Sequence, residues 1–217
     1  MSLSVDVFWS FRSPYSYLAT PQLVQLTQDW DVDIVVRPVL PIAVRLDGFF
    51  KRVNPLWPPY LVRDVYRLGQ MQGVPIRWPR PDPVLMDISS GEVPVDQPHI
   101  HRLTRMGQAA AEAGRGLDYL SEVGTLIWSG LVDDWHEGDH LALAAERAGL
   151  DPEALEAAAR DDADRLDAAI EANQAALETA GHWGVPTMVF DGEPFFGQDR
   201  IELLLWRMKQ RGLQTRL

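Results

Sequence analysis

The chain has 217 residues, 46% of them hydrophobic, and no cysteine. The length suits one large domain or one domain with an insertion, and the missing cysteine excludes disulfides, thiolate metal sites and cysteine nucleophiles together. A net charge of −11 argues against nucleic acid, which needs a basic face. No apolar run approaches the ~20 residues of a membrane span, and with no basic-then-apolar leader the expected location is the cytoplasm.

Residues 4–9 alternate polar and apolar, with Val5, Val7 and Trp9 on one face, and read as a strand. Ser13 stands where an N-cap belongs and Pro14 suits the first helical position, opening a helix to about Asp29. Residues 32–40 are rich in β-branched side chains and close a β-α-β unit. Residues 41–60 lack a clear period and read as loop, and 60–72 look helical, ended by Gly73 and Pro75. Trp78-Pro79-Arg80-Pro81-Asp82-Pro83 must be extended. Helices are expected over 99–114, 117–130, 139–148 and 152–180, the last broken near Arg160. Asp151-Pro152-Glu153 is a well-formed helix start, and Gly181 a helix stop. The acidic run between Glu146 and Glu178 reads as a solvated helical face. Residues 187–190 and 193–196, joined by Asp191-Gly192, form a hairpin signal, and 201–211 a closing amphipathic helix.

Three runs bear on the chemistry. Near the N-terminus stands Phe8-Trp9-Ser10-Phe11-Arg12-Ser13-Pro14-Tyr15-Ser16-Tyr17; near the C-terminus stand Trp183-Gly184-Val185-Pro186-Thr187 and Phe196-Gly197-Gln198-Asp199-Arg200. In this order and at the two chain ends, they are similar to the family of 2-hydroxychromene-2-carboxylate isomerases and kappa-class glutathione transferases. The resemblance implies an α/β fold: a thioredoxin-like domain (β-α-β … β-β-α) from residues 1–40 and 181–217, with a long all-helical insertion over 41–180. It implies that Ser13 stands where related proteins carry a redox cysteine. Without that cysteine there is no disulfide exchange, because the thiolate is the nucleophile there. The thiol must then arrive with a ligand, and glutathione is the thiol the family uses.

Taken alone, Ser13 before a proline is a helix cap. No motif places a His/Asp pair to take its proton, which excludes a serine-protease role. The family role is that of a donor to a ligand thiolate at the helix N-terminus. Bringing a thiol from ~8.5 to ~6.5 needs about 2.7 kcal/mol. A helix end supplies ~0.5–2 kcal/mol and a charged hydrogen bond ~1.5–3. By the same resemblance the Val185-Pro186 bond is cis, and the Val185 N–H and C=O pair with the ligand's peptide as an added strand does. Gln198, Asp199 and Arg200 bind the γ-glutamyl end. Asp199 also suits the cap of the last helix. Trp9, Trp57 and Trp183 are candidate walls of an aromatic-substrate pocket, with core packing as the alternative. Arg12 is a cation for a substrate carboxylate.

The chain departs from the family in three places. The residue three before the key serine is usually Asp and here is Ser10. The family's Gly-Asn-x-Pro-Pro appears shortened to Asn54-Pro55-Leu56-Trp57-Pro58-Pro59, leaving Asn54 as the substrate-side candidate. Its glutathione-binding lysine aligns with Trp57, with Lys51, Arg52 and Arg63 as candidate replacements. His136-Glu137-Gly138-Asp139-His140 matches a zinc-protease pattern, but Gly138 and Asp139 favour a helix start inside it. No zinc site is therefore expected, and the histidines at 99, 101 and 182 should lie at helix ends or the surface.

Three functions follow from these residues. The first is a glutathione-dependent isomerase acting on 2-hydroxychromene-2-carboxylate or a similar aromatic-derived conjugated acid. The second is a kappa-like glutathione transferase. The third is a thioredoxin-fold protein that binds glutathione or peptide without chemistry. The partners expected are a small aromatic substrate and a second copy of the chain, with neither nucleic acid nor membrane.

Overall fold

The alternation at the N-terminus produces the central strand β1 (Leu3–Trp9), which buries Val5, Val7 and Trp9 on one face and Phe8 on the other, with Ser4 exposed and Asp6 half-buried. The computed structural model describes residues 2–87 and 90–216; Met1, Leu217, and Ile88 and Ser89 of the expected insertion lie outside the described residues. The sheet order is β2-β1-β3-β4. Strand β2 (Val32–Pro38) runs parallel to β1, from Leu3 opposite Val32 to Trp9 opposite Pro38. Strand β3 (Thr187–Phe190) is antiparallel to β1, with Val7 opposite Met188, and β4 (Glu193–Phe196) pairs antiparallel with β3. Asp191 and Gly192 turn the hairpin with φ of 51° and 78°, the type I′ geometry expected of Asp-Gly.

Successive side chains of a strand leave on opposite faces. Val5 and Val7 pack with Ala19 and Leu23 of helix α1 (Pro14–Asp29) and with Leu204 and Met208 of α10 (Ile201–Gln210). Phe8 points the other way, onto Val39 and Leu177. Helices α1 and α10 therefore cover one face of the central strand, and Leu177 covers the other face at Phe8.

Between β2 and β3 lies the helical insertion that the resemblance implies. Its first part corrects the expected loop: α2 (Ile42–Arg45) and α3 (Phe49–Arg52) are single turns, too short to print a period on the sequence. Helix α4 (Trp57–Gln72) starts before Tyr60 because Pro58 and Pro59 fall in its first turn, where a proline costs no helical hydrogen bond. Helices α5 (Ile100–Glu112), α6 (Gly116–Trp128), α7 (His140–Arg147), α8 (Pro152–Asp161) and α9 (Ala163–Thr179) follow. The break near Arg160 falls at Asp162. Gly181 and His182 close α9 through bonds from their N–H groups to Glu178 O and Leu177 O, the two bonds of a Schellman stop. Trp9, Phe11 and Tyr17 share one core cluster with Leu103, Met106, Leu120 and Val123 of α5 and α6, so the insertion packs continuously onto the sheet unit.

Candidate active site

The start of α1 is built from adjacent residues. Ser13 has extended backbone angles and its Oγ accepts from Ser16 N at 3.1 Å; Tyr17 N then makes the first helical bond, to Ser13 O. No acidic side chain lies in the first turn, so the positive end of the helix dipole is not cancelled locally. The Val185-Pro186 bond is cis, as expected. Ser13 Oγ donates to Val185 O at 3.3 Å, which brings the two chain ends into one site.

The loop carrying that proline is held by its carbonyls. Arg45 Nη2 donates to Trp183 O at 2.8 Å, Thr187 Oγ1 to Gly184 O at 2.7 Å, Ser13 Oγ to Val185 O, and Gly197 N to Pro186 O at 2.9 Å. The Val185 N–H has no partner among the described residues. Gly184 lies close under the Phe196 ring: a Cβ there would stand 2.6 Å from Cε2 of Phe196, so the ring or the loop would have to shift. One edge donor is thus left open beside a serine hydroxyl that can turn. The expected Val185 C=O acceptor already takes one bond, from Ser13, and keeps its second lone pair.

Several expected ligand contacts are corrected. Trp9 is 1% exposed and its Nε1 donates to Ser16 O and Thr20 Oγ1, so it is core and lines no pocket. Arg12 is not a free cation: it makes a bidentate pair with Asp82 at 2.9 and 3.0 Å, its side chain 8% exposed. Its guanidinium also lies over the rings of Phe50 and Trp78. Asp82 takes two further bonds, from Trp78 Nε1 and Val84 N, and ties the proline-rich segment to the residue next to Ser13. The buried Gln198 oxygen accepts from Gln72 Nε2 at 2.7 Å and Gln22 Nε2 at 3.3 Å, joining α4 and α1 instead of facing outward. Asp199 does not cap α10; it lies in a 3₁₀ turn (Gln198–Arg200), and its carboxylate pairs with Arg200 Nη1 at 2.7 Å. That pair is exposed, and such pairs hold weakly enough to exchange partners. Asn54 Oδ1 accepts from Leu56 N and shapes the turn before α4. Arg52 and Arg63 donate to nearby backbone carbonyls, of Asp47 and Pro59.

Trp57 and Trp183 are partly exposed and meet through residues the sequence did not single out. Phe49 lies 6.1 Å from Trp57, 6.0 Å from Trp183 and 5.2 Å from Phe50, and Phe50 stacks on Trp57 at 6.2 Å. These four rings form a wall running from Arg12, beside Ser13, to Trp183, two residues before Val185. A second cluster was also missed. Tyr15 Oη donates to Asp64 at 2.8 Å and Tyr60 Oη to the other oxygen at 3.4 Å. Burial first, then Asp64, pushes the Tyr15 hydroxyl well above its ordinary pKa, and Asp199 adds to the effect. The four-residue spacing of Tyr60 and Asp64 on one helix was the available signal.

His136 and His140 do not share a helix. Helix α7 begins at His140, with Asp139 at the cap position and Gly138 at positive φ, as the sequence suggested; the Asp139 side chain makes no capping bond. Instead, the His136 ring packs 4.6 Å from His99. A cavity of about 500 Å³ among α5, α7 and α8, lined by Arg102, Met106, His136, Leu141 and Glu156, shares no residue with the Ser13 surroundings. Among the described residues, no helix is long and apolar enough to cross a membrane.

Comparison with known proteins matches the DSBA-like thioredoxin domain over residues 4–209. A 2-hydroxychromene-2-carboxylate isomerase of Pseudomonas putida is 29% identical, over 92% of this chain and 91% of that protein. Glutathione S-transferase kappa 1 of Rattus norvegicus is 24% identical, over 95% and 91%. A solved structure of a 2-hydroxychromene-2-carboxylate isomerase superposes with a TM-score of 0.71 at 24% identity, covering 96% of this chain and 95% of that one. The chain belongs to the DSBA-like thioredoxin domain family.

Proposed function

We propose that this DSBA-like thioredoxin domain protein is a glutathione-dependent isomerase of aromatic-derived conjugated acids. The observation that carries the reading is the junction at Ser13: a cysteine-free helix start whose hydroxyl meets the loop of a cis proline, beside an open backbone N–H. The likeness to isomerases and to a kappa-class transferase over most of the chain supports the same reading.

In this reading the ligand's peptide pairs with the Val185 N–H, and its ammonium lies near Asp64 and Asp199. Ser13 Oγ–H turns from Val185 O to the sulfur, and the start of α1 favours the thiolate. The thiolate adds to the conjugated carbon, and the former double bond becomes single as its electron pair moves into an enolate. Rotation follows. Collapse of the enolate re-forms the double bond and expels the same thiolate, so glutathione is regenerated. The ring lies along Phe49, Phe50, Trp57 and Trp183, where stacking suits a planar acceptor.

Ser13→Ala removes the donor and keeps the helix. The bound thiol's pKa should rise by roughly one to two units, from a lost charged hydrogen bond of ~1.5–3 kcal/mol. Thiolate ultraviolet absorbance against pH in both proteins measures this. Identical titrations would reduce Ser13 to a cap, and no glutathione binding by either protein would remove the enzymatic reading in favour of a different ligand. Net glutathione consumption during turnover would mark a transferase.

A further inference from the structure

We propose that Arg45 is a positioning residue for the Val185 edge: it fixes the 182–187 loop from outside, through the Trp183 carbonyl, and touches no reacting atom. The inference rests on the reading that Val185 receives the backbone of a thiol ligand.

Arg45 ends the four-residue helix α2 and has no ion-pair partner among the described residues. Its guanidinium donates to two backbone carbonyls instead, from Nε to Leu40 O at 2.7 Å and from Nη2 to Trp183 O at 2.8 Å. Leu40 follows β2, and Trp183 precedes the cis proline by three residues. A planar fork with donors in fixed directions spans two such acceptors at once, whereas an ammonium concentrates its donors at one point. Burial lowers the Arg45 pKa from its ordinary value while Glu178 opposes the shift; the group stays charged, because a guanidinium does not deprotonate in proteins.

The clamp matters most when the site is filled. Four carbonyls of the loop each have a donor: Arg45, Thr187, Ser13 and Gly197. When the Ser13 hydroxyl turns to a thiolate, Val185 O loses its donor. Thr187 lies at the loop's own strand end, and Gly197 holds Pro186 through a backbone N–H just after β4. Arg45 is then the side chain that fixes the approach to Val185 from the insertion. It also fixes the backbone below the Trp183 ring, which lies against Phe49. Arg45 therefore governs how well the edge is formed, while Ser13 governs how acidic the thiol becomes.

The test is glutathione binding to the full chain by titration calorimetry, together with thiolate absorbance against pH, for wild type, Arg45→Met and Arg45→Lys. Arg45→Met should weaken glutathione roughly tenfold, as expected for a lost charged hydrogen bond that is partly solvated. Arg45→Lys should recover part of that affinity by keeping one donor. The pKa of the bound thiol should match wild type in both variants. If Arg45→Met does not fold, as circular dichroism would report, Arg45→Lys decides alone, and wild-type affinity there overturns the proposal. Wild-type affinity in Arg45→Met overturns it as well, as does a bound-thiol pKa that moves as far as in Ser13→Ala. If the wild-type protein binds no glutathione, the functional reading fails and this inference with it; a wild type that binds and an Arg45→Met that binds equally sinks the inference alone.

Discussion

The site joins two segments of opposite construction. The start of α1 is made by neighbours: Ser13, Ser16 and Tyr17 exchange the bonds that begin the helix. The 182–187 loop is made largely by strangers: beside its own bonds from Thr187 Oγ1 to Gly184 O and from Gly184 N to His182 Nδ1, its carbonyls are answered from α2, the start of α1 and the Gly197 turn. The two segments meet through one hydrogen bond. In the proposed function, a locally determined feature supplies the chemistry and a globally determined one supplies the shape. One distant bond complicates the contrast: Arg12, next to Ser13, depends on Asp82, 70 residues away.

The largest expected effect tests that complication. Asp82→Ala strips a nearly buried guanidinium of both its bonds and frees Trp78 Nε1 and Val84 N. It should destabilise the protein by about 3 kcal/mol, the scale for breaking a buried pair and leaving one charge behind. Urea unfolding midpoints with an unchanged slope would report it; a loss under about 1 kcal/mol would show that the α1 start needs no distant support. Gly184→Ala tests the loop, because its Cβ meets the Phe196 ring at 2.6 Å. The expected cost is ~1–3 kcal/mol of overpacking, read in the same experiment, together with weaker glutathione binding. Full stability and affinity would mean that the loop adapts more freely than its carbonyl bonds imply.

The smallest effect belongs to a region in neither segment. Burial, then His136 and Arg102, lowers the His99 pKa from 6.5. The folded state thus holds the neutral form, and its stability contribution is present above pH ~6.5. That contribution is lost as pH falls through the lowered folded value. Wild type should lose more stability than His99→Gln between pH 7 and 5, while Ser13-linked properties do not follow His99. Parallel pH profiles for the two proteins would show that His99 does not contribute.

The sequence spoke clearly wherever bonding is local. The cap at Ser13, the Asp-Gly hairpin turn, the helix start at His140 and the stop at Gly181 each rest on residues within a few positions of one another. It spoke poorly about 41–60, because one-turn helices show no period, and Phe49 and Phe50 drew no notice for the same reason. It also misjudged polar side chains. Arg12 and Gln198 looked available to a ligand, but their partners Asp82, Gln22 and Gln72 lie far off in the chain. Trp9 was drawn toward the site by its closeness to Ser13, although strand alternation had already placed it with Val5 and Val7 on an inward face.

What the sequence determined by itself was the order of elements outside residues 41–60, the absence of any protein thiol, and the residue at the helix start, since backbone propensity and capping act over a few residues. The resemblance had put Ser13 and Val185 at one site; tertiary structure alone decided that the Ser13 hydroxyl bonds the Val185 carbonyl, that Arg45 holds Trp183, and that Phe49, Phe50, Trp57 and Trp183 form one wall. Partners of this kind follow from how the layers pack, because a side chain's charge or shape does not encode which distant group it will face.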